Sequence, residues 1–152
     1  MRTRAIAPVL VLTLLPLLGC GDDGPSKEDF IADGDDLCLD LRRDLDAVQL
    51  PAPTAGPEEV QAYLDEVRPI VEQGRRDWDD LEASDEDDGE QLKDDVVATL
   101  DDQLAKLDDV EAAVQANDAA ATQEAVQQLE ERGDDTDARL QQYGFEECGR
   151  QD

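Results

Sequence analysis

The sequence contains no histidine, and this absence excludes several classes of site. Ser-His-Asp and Cys-His nucleophile systems need an imidazole base, so neither is available. The Glu-x-x-His di-metal sites of helical bundles and His-ligated haem are excluded for the same reason. Carboxylates are plentiful, but they are spread along the chain as Asp-Asp pairs, which is typical of solvated helix faces. We therefore assign no catalytic residue, cofactor or metal ligand, and we expect a protein that is not an enzyme.

Basic residues are also scarce, with 13 Lys and Arg against 41 Asp and Glu and a formal net charge of -28. A surface this acidic repels the phosphates of nucleic acids and of anionic lipids. The charge therefore predicts that nucleic acid is not a partner. Adaptation to a salty environment and solubility at a cell surface both remain open as explanations of the excess.

The first twenty residues have the pattern of a targeting segment. Arg2 and Arg4 precede an apolar run of about 14 residues, which is shorter than the ~20 that a membrane-spanning helix needs. The run ends in Leu-Leu-Gly-Cys20, which resembles the bacterial lipobox, where the Cys thiol receives a diacylglycerol and becomes the first residue after cleavage. We predict a lipoprotein signal peptide over 1–19, lipidation of Cys20, a tether over 20–25 and a domain over 26–150. The alternatives are an ordinary secretory signal and an uncleaved anchor.

Lipidation of Cys20 changes the meaning of the cysteine count. Three cysteines outside the cytoplasm would leave one thiol without a disulfide partner within the chain, but two remain once Cys20 is acylated. Cys38 and Cys148 lie near the two ends of the exported chain, so a disulfide between them is expected. A thiolate redox or metal site is the alternative, but the two cysteines lack a C-x-x-C spacing.

Apolar residues recur at helical spacing in four blocks, and strand patterns are absent. The first block follows Ser26, a candidate N-cap, and the second follows the Pro-rich connection from Leu50 to Pro57. The third follows an acidic turn, and the fourth follows Asn117-Asp118, which has the residue types of a helix stop and a new cap. The four apolar stripes are Phe30, Leu37, Leu41, Leu45 and Val48; Val60, Leu64, Val67, Val71, Trp78 and Leu81; Leu92, Val96, Leu100, Leu104, Leu107, Val110 and Val114; and Ala121, Ala125, Leu129, Leu140 and Tyr143.

Four amphipathic segments with mostly short connections predict an all-α protein. We expect an antiparallel up-down-up-down four-helix bundle. Pro69 falls inside the second helix and should kink it, because proline removes one backbone donor. The stretch from Arg132 to Asp137 contains Gly133 and no large apolar residue, so the fourth helix should be weakest there.

Two features invite a ligand site. The acidic turn from Ser84 to Glu90 suggests calcium, but its residues do not match an EF-hand loop, so we interpret it as a solvated turn with weak cation association at most. The few aromatic residues could line a groove for a small molecule. Core packing near the helix ends is the interpretation we prefer for them. These aromatic residues are Phe30, Tyr63, Trp78, Tyr143 and Phe145.

Short motifs mark both ends of the domain. Residues 30–38 read FIADGDDLC and residues 143–149 read YGFEECG, and between them lie the Pro-rich break and a Tyr63-Leu64 helix containing Pro69. In this pattern the chain resembles a group of small helical lipoproteins and secreted proteins of actinobacteria. The resemblance implies a helical bundle closed by a disulfide. It carries over no biochemical function, and the present chain is far more acidic than that group.

These observations predict a lipid-anchored protein on the outer face of the bacterial cell membrane. The membrane would be contacted through the lipid on Cys20, and an envelope protein or a cell-wall component would be the partner. We expect a non-enzymatic partner-binding or structural module. The alternative is a carrier lipoprotein that encloses a small molecule or holds cations on its acidic faces.

Overall fold

A computed structural model describes residues 24–52, 55–86, 88–130 and 134–150. These ranges contain five helices and no strand, which confirms the predicted all-α class. The helices are α1 (Lys27–Asp46), α2 (Pro57–Asp80), α3 (Gly89–Gln115), α4 (Ala119–Glu130) and α5 (Asp134–Tyr143). The predicted signal peptide, Cys20 and most of the predicted tether lie outside the described residues. Within the described ranges, no helix combines the length and the apolar character needed to cross a membrane.

The first three helices begin where the sequence predicts. The Ser26 hydroxyl accepts a hydrogen bond from the backbone amide of Asp29 at 3.2 Å, which confirms Ser26 as the N-cap of α1. Pro57 is the first residue of α2, a position where its missing amide costs no helical hydrogen bond. The helix continues through Pro69, which is exposed to solvent. The kink expected at Pro69 stays a prediction.

The turn between α3 and α4 has the geometry that its sequence predicts. Asn117 has a φ of 54°, in the left-handed region. Its amide bonds the Val114 carbonyl, and the amide of Asp118 bonds the Ala113 carbonyl, which is the Schellman pattern of a helix end. The Asp118 carboxylate then accepts hydrogen bonds from the amides of Ala120 and Ala121 and so caps α4. Asn117-Asp118 is therefore both a stop and a cap.

The fourth predicted block corresponds to two helices, α4 and α5. Residues 131–133 between them lie outside the described ranges. These residues include Gly133, in the part of the block where the sequence predicts the weakest helix. Both helices pack against α3, which also has the most extensive contact with α2.

Contacts between helices show the direction of each pair. Residues early in α2 contact residues late in α3, as in the hydrogen bond between Gln61 and Glu111, and Arg75 later in α2 pairs with Asp101. Phe30 near the start of α1 contacts Trp78 near the end of α2. These contacts are compatible with antiparallel neighbours. The core they enclose consists of Phe30, Leu64, Val67, Val71, Trp78, Ala83, Leu92, Val96, Val97, Leu100, Leu107, Val110, Val114, Ala125, Leu140, Phe145 and Cys148.

Candidate functional site

The disulfide joins the first helix to the carboxyl-terminal loop. Cys38 and Cys148 are bonded with their Cα atoms 5.3 Å apart, which confirms the predicted pair. The bridge closes a loop across a sequence separation of 110 residues. Cys148 is only 1% exposed, so the bridge is shielded from reagents in solution. Here the two cysteines form a structural cross-link.

Asp35 holds the same loop through its backbone. One carboxylate oxygen accepts hydrogen bonds from the amides of Glu147 at 2.9 Å and Cys148 at 3.1 Å, and the other accepts from the amide of Glu146 at 3.0 Å. Three amides converging on a carboxylate form charge-assisted hydrogen bonds, which are stronger than neutral ones. About two turns further along α1, the Arg42 guanidinium donates to the Glu147 carbonyl and lies 3.4 Å from the Glu147 carboxylate. The loop is therefore fixed by a covalent bond and by two charged side chains of α1.

An aromatic cluster lies beside this loop. Phe30 is at its centre, with edge-on contacts to the rings of Trp78, Tyr143 and Phe145 at centroid distances of 6.4, 5.9 and 5.6 Å. Edge-to-face contacts at these distances are favourable beyond the burial of area. Phe30 is 0% and Trp78 1% exposed, so these two rings are part of the core. Tyr63 is half-buried on α2 and packs against the core outside this cluster.

Tyr143 connects the cluster to a charged side chain through its ring and to a backbone carbonyl through its hydroxyl. The ammonium of Lys27 lies 4.2 Å from the centroid of the Tyr143 ring, within range of a cation–π interaction. The Tyr143 hydroxyl donates a hydrogen bond to the Glu86 carbonyl at 3.1 Å. The carboxyl-terminal segment is thus bonded to the turn between α2 and α3.

The acidic turn between α2 and α3 is built around a buried serine. Ser84 is 3% exposed, and its hydroxyl accepts a hydrogen bond from the Glu86 amide at 3.0 Å. Asp85 turns outward, and its carboxylate accepts a hydrogen bond from the backbone amide of Gly24 at 3.2 Å. Asp87 lies outside the described residues. Across the described ranges, no three acidic or cysteine side chains are grouped closely enough to hold a metal ion.

Arginines bridge the helices on another face. The Arg68 guanidinium on α2 lies 2.7 Å from Asp108 and 3.0 Å from Glu111 on α3. Burial lowers the pKa of Arg68, but the hydrogen bonds and charges of Asp108 and Glu111 outweigh it, and the net pKa is raised. The hydrogen bond that Arg75 donates to the Asp101 carboxylate is the main cause of the raised pKa of Arg75. These arginines hold α2 and α3 together through carboxylates that would otherwise repel one another.

Sequence reasoning identified the cysteine pair and the aromatic residues, but not the residues that hold the loop. Asp35 is one of three aspartates within four residues, so its residue type does not distinguish it from its neighbours. Its spacing of three residues from Cys38 places both side chains on adjacent turns, and that is the one local signal that could have identified it. Comparison with known proteins finds no matching family model, no matching curated protein and no matching solved structure.

Proposed function

We propose that the protein is a non-enzymatic lipoprotein of the bacterial envelope, anchored to the outer face of the cell membrane through a lipid on Cys20. The first 19 residues are its signal peptide, residues 20–25 its tether and residues 26–150 its domain. Its function is to present a helical module to a partner outside the membrane, such as an envelope protein or a cell-wall component.

The proposed architecture is an up-down-up-down bundle in which α4 and α5 together form the fourth leg. Lys106 on α3 bonds Gln128 on α4, whereas Thr99 and Asp95, nearer the start of α3, contact Thr136 and Arg139 on α5. The contacts of α4 therefore fall nearer the end of α3, and those of α5 fall nearer its start. This order supports two consecutive helices running in one direction beside α3.

The position of Gly24 carries the proposed orientation. Its amide bonds Asp85, at the end of the domain where Tyr143 of the aromatic cluster bonds Glu86. Gly24 is four positions after Cys20, and such a segment spans at most ~14 Å. A lipid on Cys20 would therefore keep this end beside the membrane. The Pro-rich connection and the Asn117-Asp118 turn would face away, because α3 has 27 residues and is about 40 Å long.

A partner-binding module is favoured over a small-molecule carrier by the packing of the aromatic cluster. A carrier of this size would need open space among its few rings. Trp78, the largest ring, is 1% exposed and Phe30 is 0% exposed, and both contact other rings. We assign no catalytic residue, because the charged groups that converge in the described domain serve to hold its own loops and helices.

Lipidation is tested on the full-length protein exported in a bacterial host. The wild-type protein should partition into detergent, and its amino-terminal peptide should carry the mass of a lipid on Cys20. Cys20→Ala should abolish both properties. Cys148→Ala, a matched change at another cysteine, should leave the lipid in place. Recovery of most wild-type protein without lipid would contradict the proposal.

The orientation is tested with a fluorophore attached at one of two exposed sites in membrane-bound protein. A fluorophore at position 86 should be quenched strongly by a lipid that carries its quencher at the headgroup, because Glu86 lies at the tethered end. A fluorophore at position 117 should be quenched weakly. Equal quenching at the two sites would contradict the proposed orientation.

A further inference from the structure

A groove runs along the outer surface between α1 and α2. Its floor is apolar and is formed by Leu37, Leu41, Ile70 and Leu81, all of which are only partly buried. Two adjoining depressions of about 340 and 40 Å³ make up the groove, and they share Leu37 and Asp77. The floor therefore offers apolar surface that the fold has not covered.

Carboxylates line both rims of this groove. The rim on α1 is formed by Asp33, Asp36, Asp40 and Asp44, and the rim on α2 by Asp77 and Asp80. Spacings of three and four residues place the α1 group along one side of the helix. From Asp33 to Asp44 this rim extends about 16 Å, or about three helical turns.

The groove differs from the other acidic surfaces in having no cation that links its two rims. Arg68 and Arg75 join α2 to α3, Arg139 joins α5 to α3, and a separate arginine, Arg42, joins α1 to the carboxyl-terminal loop. No ion pair connects a side chain of α1 with one of α2, both of which are described over their whole length.

The two arginines closest to the groove neutralise at most one end of the α1 rim and do not link the two rims. Arg43 is exposed and pairs with Asp40 and Asp44 on its own helix, at the far end of the rim. Arg76 points to Gln73 and Glu72 on α2. At the other end, Asp36 and Asp80 are exposed and make no ion pair or hydrogen bond with any described residue.

We propose that this groove binds a basic amphipathic helix of a protein partner. Apolar side chains of that helix would cover Leu37 and Leu81, while its Lys and Arg side chains would reach the carboxylates on both rims and supply the missing cations. An amphipathic helix in an apolar groove is a common mode of peptide recognition, and complementary charge gives specificity and a faster association. The inference rests on the proposed role as a partner-binding module and names the chemistry of the partner.

Other occupants fit the groove less well. A second copy of the chain has a net charge of -28 and would be repelled. Nucleic acid is repelled for the same reason. A metal ion would use the carboxylates but leave the apolar floor exposed, and no group of three metal-ligating side chains occurs in the described ranges.

The proposal is tested with the exported full-length protein in phosphatidylcholine nanodiscs. The probe is a synthetic 15-residue helix with Leu on one face and Lys on the other, and empty nanodiscs give the blank. A peptide of the same composition with its order scrambled retains the charge but loses the apolar face. We expect the amphipathic peptide to bind at least about ten-fold more tightly than the scrambled one, because only it can cover the floor of the groove.

Two matched double variants locate the binding site. Asp36→Asn/Asp80→Asn removes two rim charges, whereas Asp94→Asn/Glu124→Gln removes two exposed charges from α3 and α4 that also make no ion pair with described residues. The groove variant should weaken binding about five-fold at low salt, and the control should weaken it less than about two-fold. A photo-crosslinker on the peptide should label α1 and α2 and not α3.

Several results would overturn the proposal. They are the absence of binding, equal binding of the scrambled peptide, equal losses in the two double variants, or crosslinks confined to other helices. Equal losses would mean that the net charge alone attracts the peptide. The lipid on Cys20 is measured separately, so failure of the groove and failure of the anchoring proposal are distinguishable.

Discussion

The carboxylate of Asp35 accepts a hydrogen bond from the backbone amide of Cys148 at 3.1 Å, one turn of α1 away from the residue to which Cys148 is disulfide-bonded. The same side chain also accepts the amides of Glu146 and Glu147. The carboxyl-terminal loop is thus attached to α1 through both its backbone and its side chain. The three loop amides have no helix or strand partner, and the Asp35 carboxylate satisfies them instead.

Replacing Asp35 by Asn should destabilise the domain by about 1–3 kcal/mol, because the charge that strengthens three hydrogen bonds is lost and an amide NH₂ is brought against backbone donors. Denaturation by urea with the disulfide intact measures the free energy of unfolding. Asp36→Asn is the control, since Asp36 is exposed and lacks a hydrogen-bonding partner among the described residues. Equal effects of the two substitutions would show that the three amides gain nothing from the Asp35 charge.

The fold could be predicted from the sequence where the signal was local. Ser26 is followed by acidic residues and an apolar stripe, and Asn117-Asp118 combines a residue that accepts positive φ with a capping carboxylate. Each of these signals lies within one helical turn of the structure it specifies. The cysteine pair could be predicted because lipidation of Cys20, itself a prediction, would leave Cys38 and Cys148 as the two remaining thiols.

The attachment of the carboxyl-terminal loop could not be predicted, because it depends on residues far apart in the chain. Asp35 and Cys148 are separated by 113 residues, and only the folded structure brings them together. Glycine has a poor helix propensity, and the sequence does not explain why it stands at position 34. The structure explains it, because Phe145 packs directly against Gly34. The division into α4 and α5 was predicted only as a weak stretch, since composition does not show whether a helix bends or ends.

Gly34 is required by the approach of the aromatic cluster to α1. A Cβ atom at this position would lie 2.5 Å from Cε1 of Phe145 and 3.0 Å from Cη2 of Trp78, and both rings are buried. Gly34→Ala should therefore destabilise the domain by about 1–3 kcal/mol, as overpacked cores do, despite the better helix propensity of alanine.

Gly74→Ala provides the matched comparison for Gly34, because Gly74 is also buried inside a helix. A Cβ there would meet the end of the flexible Leu41 side chain at 3.1 Å, which can move aside. The gain in helix propensity, about 1 kcal/mol, should then offset most of the cost. Thermal unfolding of both variants measures the contrast. Two similar midpoints would contradict the role assigned to Phe145 and Trp78.

The disulfide should be fully formed and should contribute strongly to stability. It closes a loop of 110 residues, and the chain-entropy model gives about 4–5 kcal/mol for a loop of roughly this length. The unreduced, folded protein should therefore show no reaction of Cys38 or Cys148 with an alkylating reagent. Cys38→Ala/Cys148→Ala should unfold at a much lower urea concentration than the wild type. Ready alkylation of both thiols in the native state would contradict the bridge.

Arg68→Gln should destabilise the pairing of α2 with α3 by about 1 kcal/mol or less, since the side chain is partly exposed to solvent. The raised pKa of Arg68 means that its contribution is fully present below its ordinary pKa and is lost only as the pH rises through the higher, folded value. The difference between variant and wild type should therefore be constant from about pH 7 to about pH 10. Arg76→Gln, whose partner Glu72 is on the same helix, should have a smaller effect.

Salt should stabilise the folded domain, because like charges outnumber the ion pairs that oppose them. With 41 acidic and 13 basic residues, most carboxylates have no cation of their own, and folding brings them closer together. The Debye length falls from ~30 Å at 0.01 M to ~3 Å at 1 M salt, so carboxylates on neighbouring helices stop repelling one another. We expect the thermal midpoint at pH 7 to rise between these two concentrations of NaCl.

Two opposing electrostatic effects decide the sign of this salt response. Salt also weakens the ion pairs of Arg68 and Arg75 between helices, which would lower the midpoint. These pairs are few, and the six rim carboxylates of the α1–α2 groove have no ion pair that crosses to the other rim. Asp36→Asn/Asp80→Asn should therefore raise the midpoint at low salt and reduce its further rise in NaCl. A midpoint that falls with salt in the wild type would mean that the arginine pairs outweigh the net repulsion.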